Sequence, residues 1–121
     1  MRDLDLQEHT VSAGTEVFGV ENMTNPEERL LRFAEEFFEL VRAAGMPFDK
    51  LAAMLCYEYY VRKKGDVPQE IAGVQCTLYS LAEVLGYDVR IETLKEIERI
   101  LAKKEECRAK HAAKPVTMKA A

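Results

Sequence analysis

The segment from residue 66 to residue 86 constrains this chain most. Val67, Ile71, Val74, Leu78, Leu81 and Leu85 recur at three- and four-residue intervals, which gathers them on one face of an α-helix and would scatter them over both faces of a strand. Asp66 stands at the N-cap position with Gln69 as its reciprocal partner, and Gly86 stands where a left-handed residue ends a helix. The same grammar repeats upstream. Asn25 caps, Pro26 takes the first helical position and Glu28 completes a capping-box pattern for a helix running to Ala44, where Gly45 stops it. Pro47 and Asp49 open a second segment through Leu51, Leu55 and Tyr59, closed by the basic pair Lys63 and Lys64 before Gly65. A final helix begins between Val89 and Glu92 and carries Leu94, Ile97 and Leu101 on one face, dissolving into a polar run that ends at Pro115.

Four helices joined by short loops, with no β-period alternation and no internal repeat, predict an all-α, four-helix-bundle-like domain over residues 25–115. Residues 1–24 lack sustained periodicity and contain Gly14, Gly19 and Asn22, which predicts an irregular arm with one short helix near Leu4 to His9. Residues 116–121 read as a frayed tail. The aromatic residues Phe33, Phe37, Phe38, Tyr57, Tyr59, Tyr60 and Tyr79 exceed what one small bundle covers. The expectation is a homo-oligomer, a dimer or a dimer of dimers.

Composition narrows the function. The 121 residues are 48% hydrophobic and 31% charged, enough for a core and too apolar for a disordered chain. With 17 Lys and Arg against 21 Asp and Glu, the formal net charge of −4 argues against general affinity for nucleic acid or an anionic membrane. Any anionic ligand must be handled locally. No apolar run reaches the roughly 18 residues that cross a bilayer, and the opening Met1-Arg2-Asp3-Leu4-Asp5 is unlike a signal peptide, which predicts a cytoplasmic protein. Cys56, Cys76 and Cys107 are odd in number and widely spaced, as free thiols are. His9 and His111 are the only histidines, so a metal here would be a hard cation on carboxylates rather than on imidazole.

Two readings of the acids Glu35, Glu36 and Glu39 stand side by side. Glu36 and Glu39 lie on neighbouring turns and can reach one cation, with Glu35 beside them. Equally, these acids sit opposite Leu30, Ala34, Phe37 and Val41, with Arg32 and Arg42 in ion-pairing range, as an ordinary solvated face does. Glu70 bears on the choice because it borders the Val74, Leu78 and Leu81 stripe. A carboxylate at a core edge needs a partner, either an arginine such as Arg29 or Arg32 or a divalent ion shared with Glu36 and Glu39. Gly73, one turn further on, costs about 1 kcal/mol relative to Ala inside a helix, which suggests close approach of a ligand or a neighbouring helix. At the basic end, Lys103, Lys104, Arg108, Lys110, Lys114 and Lys119 stand against Glu105 and Glu106. Such bases can neutralise a polyphosphate held by a metal on its other side, and a helix C-terminus also collects them for its dipole.

The pattern Glu36-x-x-Glu39-Leu40, followed by Gln69-Glu70-Ile71-Ala72-Gly73-Val74, resembles the paired E-x-x-E and E-x-x-D motifs of the MazG-like all-α NTP pyrophosphohydrolases, across residues 18–115. The stretches Asn25 to Glu39, Gly65 to Glu70 and Arg108 to Lys114 are most similar to the short phage-encoded branch, which includes MazZ-type dGTP/GTP diphosphohydrolases. The resemblance implies hydrolysis of (d)NTP to (d)NMP, guanine nucleotides favoured, with Glu36, Glu39 and Glu70 binding Mg²⁺ or Mn²⁺ to activate water and screen the phosphates. It also implies phosphate contacts from Arg108, Lys110 and Lys114, base or sugar contacts from Asn22 and His111, closure of residues Phe18 to Asn22 over the base, a homo-oligomer, and the host cytoplasm as the setting. In one place the chain departs from the family: the Asp that ends the second motif is Gly73 here. Either the ion keeps more water, or Glu35 is a further metal ligand, or the chain is a catalytically inactive relative. In the last case it serves as a helical interaction or accessory protein through its Phe37/Phe38 and Tyr57/Tyr59/Tyr60 surfaces.

Overall fold

The computed structural model describes residues 3–121; Met1 and Arg2, at the start of the segment read as unlike a signal peptide, lie outside the described residues. Seven helices and no strand occur among the described residues, so the chain is all-α. In order they are α1 (Asp3–Phe18), α2 (Val20–Thr24), α3 (Pro26–Ala43), α4 (Phe48–Tyr60), α5 (Val67–Leu85), α6 (Val89–Ala102) and α7 (Lys104–Ala112), followed by a 3₁₀ turn at Val116–Met118. None of these helices is long and apolar enough to cross a membrane. Cys56, Cys76 and Cys107 are free. The chain divides into two compact units, residues 1–36 with 90–121, and residues 37–89.

Local signals set most helix ends. Asn25 Oδ1 accepts from the Glu28 backbone N–H at 3.2 Å, which starts α3 as the capping pattern predicts. Gly45 and Gly86 adopt positive φ of 103° and 85°. Just beyond them, Met46 N–H donates to the Val41 carbonyl and Tyr87 N–H to that of Ala82, both at 2.9 Å. These six-to-one bonds satisfy carbonyls that α3 and α5 would otherwise leave open. Asp66 precedes α5 as expected, but its side chain makes no capping bond.

Several expectations need correction. Residues 3–24 are not an irregular arm: α1 is 16 residues long and α2 follows it directly. Gly14 breaks nothing. A Cβ there would lie 2.5 Å from Met23 Cε, so the glycine lets Met23 of α2 rest against α1. Gly19, at φ 89°, is the joint between the two helices. The α1 face so formed packs on α2 and α7, and Ala13, Val17 and Ile97 are the buried apolar residues of this unit among those described. Helix α4 stops at Tyr60, short of the lysine pair, where Val61 and Arg62 N–H both turn back to the Tyr57 carbonyl. The last predicted helix is two, because Lys103 leaves helical geometry at φ −124°, ψ 44°. Residues 116–121 are not frayed; the 3₁₀ turn carries them back over the first unit.

Much apolar surface stays uncovered. No residue of α4 or α5 is buried, and all seven aromatic residues noted above are exposed.

Candidate active site

In the first unit, α3 turns a charged stripe inward. Glu28, Arg32 and Glu35 follow one another at i,i+4 and i,i+3, and their side chains are only 6%, 14% and 12% exposed. Leu30 and Phe33, on the other side of the helix, are exposed instead. The stripe is met by α7 and the residues after it. Lys114 Nζ donates to both Glu35 carboxylate oxygens, at 2.9 and 3.0 Å. Arg32 Nε lies 3.2 Å from Glu28 Oε1 and Nη1 lies 3.7 Å from Glu35 Oε1, while Nη2 donates to the Met118 carbonyl.

A second chain of contacts enters from α2. Arg29 Nη2 donates to Asn22 Oδ1 at 2.6 Å, and Asn22 Nδ2 lies 3.2 Å from His111 Nε2. With the amide oxygen taken by the arginine, the amide nitrogen is the donor, so neutral His111 accepts at Nε2 and carries its proton on Nδ1. Phe18 packs against the same imidazole, ring centroids 5.6 Å apart. Burial draws the His111 pKa below that of a free histidine; Glu28, 3.6 Å from Nε2, opposes the shift, and Arg32, Lys114 and Arg29 reinforce it. Burial lowers the Arg29 pKa as well, again against Glu28 and with Arg32.

With His111 neutral, Arg29, Arg32 and Lys114 face Glu28 and Glu35, a surplus of one positive charge. Glu28 Oε1, Arg29 Nε, and Arg32 Nε and Nη1 are buried without a hydrogen bond. Arg32 Nε is near Glu28 but off the hydrogen-bonding direction, and Nη1, 3.7 Å from Glu35, is too far to bond. Two guanidinium groups with unused N–H groups beside an ammonium are suited to phosphate oxygens, which guanidinium binds in its planar fork.

Asn22, His111, Lys114 and Glu35, four residues singled out in the sequence, thus come together. Arg108 is used otherwise. Its Nε donates to the Val17 carbonyl at 2.7 Å and Nη2 to that of Glu16 at 3.3 Å, which satisfies the end of α1, while Nη1 pairs with Glu105. Lys110 is exposed on α7. Glu36 is exposed in the first unit, and Glu39 and Glu70 are exposed in the second.

Among the described residues, no three His, Cys, Asp or Glu side chains gather as a metal site. The oxygen donors of Glu36, Glu39 and Glu70 have the chemistry of a hard-cation site. Glu35 does not fit that set, because Lys114 and Arg32 already hold it. Nor does Glu70 stand at a core edge: it is exposed and folds over the turn before α5, where a Cβ on Gly65 would lie 2.7 Å from Glu70 Oε1. Gly73 is likewise not a point of close packing within the chain, since a Cβ there would meet nothing within 4 Å.

Glu28, Arg29 and Arg32 were not predicted as site residues. In the sequence Glu28 stands as a capping residue and the arginines as ion-pair partners. The signal was the charged i,i+4,i+3 stripe, which reads as solvated unless something covers it. No family model, curated protein or solved structure matches the chain.

Proposed function

We propose that the chain is a metal-dependent nucleoside triphosphate hydrolase that converts (d)NTP to (d)NMP, with guanine nucleotides favoured, and that it acts as a homo-oligomer of MazG-like, four-helix-bundle-type subunits. The observation that carries the reading is the surplus-positive cluster of Arg29, Arg32 and Lys114, with Asn22 and His111 against it. Arg29, Arg32 and Lys114 bind the phosphates, Asn22 and neutral His111 contact base or sugar, and Phe18 covers the imidazole. Lys110 adds positive charge at the approach. Arg108 acts as a positioning residue, since it holds the end of α1 from which Phe18 reaches His111. Glu36, Glu39 and Glu70 are the residues that would hold Mg²⁺ or Mn²⁺. When bound, the ion supplies an activated water and screens phosphate charge. The exposed aromatic residues Phe33, Phe37 and Phe38 of α3 and Tyr57, Tyr59 and Tyr60 of α4 support the oligomer, because apolar side chains left to solvent in this number call for a partner surface.

The test is incubation with a panel of NTPs and dNTPs plus Mg²⁺ or Mn²⁺, followed by chromatography of the products. Nucleoside monophosphate appears with wild type and is lost in Glu36→Gln, Glu39→Gln and Glu70→Gln, each with unchanged helicity. No turnover with any nucleotide would favour a second reading, an accessory protein that docks a partner. The exposed aromatic residues of α4 support that alternative.

A further inference from the structure

We propose that residues 116–121 form a strap that competes with anionic ligands for Arg32 and so gates the cluster; this rests on reading the cluster as a phosphate site. After Lys114, which is clamped on Glu35, the chain turns at Pro115, and Met118 N–H donates back to the Pro115 carbonyl at 2.9 Å. That tight turn aims the Met118 carbonyl at the Arg32 guanidinium, where it accepts from Nη2. Two further anchors hold the segment. Lys119 Nζ donates to the Ala112 carbonyl at the end of α7, at 2.8 Å, and Ala121 N–H donates to Glu27 Oε1 at 3.3 Å. Met118 is half-buried, whereas Val116 on the same turn is exposed. All of these contacts lie within the first unit.

A carbonyl is a weak substitute for a phosphate oxygen: it offers a partial charge to a fork made for a full one. The strap therefore satisfies one Arg32 donor while Nε and Nη1 stay without hydrogen bonds. A phosphate that took one edge of the guanidinium would bond Nη2 together with Nε or Nη1, in place of the carbonyl and of the carboxylate that now faces that edge without a hydrogen bond. The anchors are single hydrogen bonds at the surface, of the strength that yields to a charged ligand. A site open only a tenth of the time binds with an apparent Kd about tenfold weaker than the open site does.

The experiment is calorimetric titration of the full chain with inorganic tripolyphosphate. The strap is loosened by Met118→Gly combined with Lys119→Ala, which removes the half-buried side chain and one anchor and keeps the length. The loosened variant is expected to bind about fivefold to tenfold more tightly than wild type, although it has lost a positive charge. Adding Arg32→Gln to it should abolish the gain. In wild type, tripolyphosphate should also speed tryptic cleavage after Lys119 several-fold, which reads strap release without any substitution. Equal affinity of wild type and the loosened variant, with cleavage unaffected by the ligand, would overturn the strap and leave the phosphate site standing. Absence of binding in both proteins at millimolar ligand would overturn the phosphate site and the strap with it.

Discussion

Replacing Glu28 by Gln removes the most deeply buried charge of the cluster and raises its surplus from one positive charge to two. Its carboxylate lies 3.2 Å from Arg32 Nε and 3.6 Å from Arg29 Nη2. At an effective dielectric of about 20, contacts at these distances are worth about 5 kcal/mol each. Desolvation of a carboxylate that is 6% exposed takes back several kcal/mol. Arg29, 34% exposed, regains water when its partner is lost, and the amide still offers Arg32 an oxygen. The net loss is about 3 kcal/mol, at the low end of what breaking a buried pair costs. Urea unfolding followed by far-ultraviolet circular dichroism, at one fixed protein concentration, measures it as a lower midpoint with unchanged slope. Glu105→Gln is the control, because that carboxylate is 86% exposed against Arg108, and its loss should stay under about 0.5 kcal/mol. A Glu28→Gln loss below about 1 kcal/mol would refute the claim that this cluster holds α3 to α7.

Three other outcomes follow from the same geometry. The His111 pKa is lower in the folded chain than the unfolded value of 6.5, so its contribution to stability is complete above that pH and is lost as pH falls through the folded pKa. Stability should thus decline as pH falls below 6.5, and His111→Gln should flatten that decline in urea melts; an equal slope in the variant would contradict it. Arg108→Ala opens the carbonyls of Glu16 and Val17 and should cost about 1.5 to 3 kcal/mol, the worth of charge-assisted bonds, and an unchanged melting midpoint would rule out the α1 clamp. Light scattering at micromolar concentration should give a multiple of 13.8 kDa, and a monomer mass would leave the uncovered apolar surface without a partner.

The helical class was legible because capping and stop signals act locally. Asn25, Gly45 and Gly86 do in three dimensions what they suggest in one, since a cap or a left-handed turn involves only residues next to it. The arm was misread for the converse reason. Gly14 looks like a breaker until Met23 is placed against it, and that contact belongs to the pairing of α1 with α2. At the site, Asn22, His111, Lys114 and Glu35 were marked, but the inward turn of Glu28 and Arg32 was not. Periodicity separates the charged from the apolar face of α3 and cannot say which of them a single chain covers. Here the charged face is covered by α7 and the strap, while Leu30 and Phe33 are left exposed. The same inversion undid the expectation for Glu70, whose supposed core edge does not form within the second unit.

Steady-state hydrolysis of dGTP and GTP in Mn²⁺ or Mg²⁺, by wild type and by Lys114→Gln, tests the central claim most directly. Lys114 is 11% exposed and donates twice to Glu35, so its ammonium is held in place before any phosphate arrives. The variant's unfolding midpoint is followed alongside, so that only folded protein is compared. Wild type should release nucleoside monophosphate, and Lys114→Gln should lower kcat/KM by about tenfold or more, the worth of one charge-assisted hydrogen bond to phosphate. Absence of turnover in wild type, or an unchanged kcat/KM in the folded variant, would contradict the assignment of this cluster as the triphosphate site.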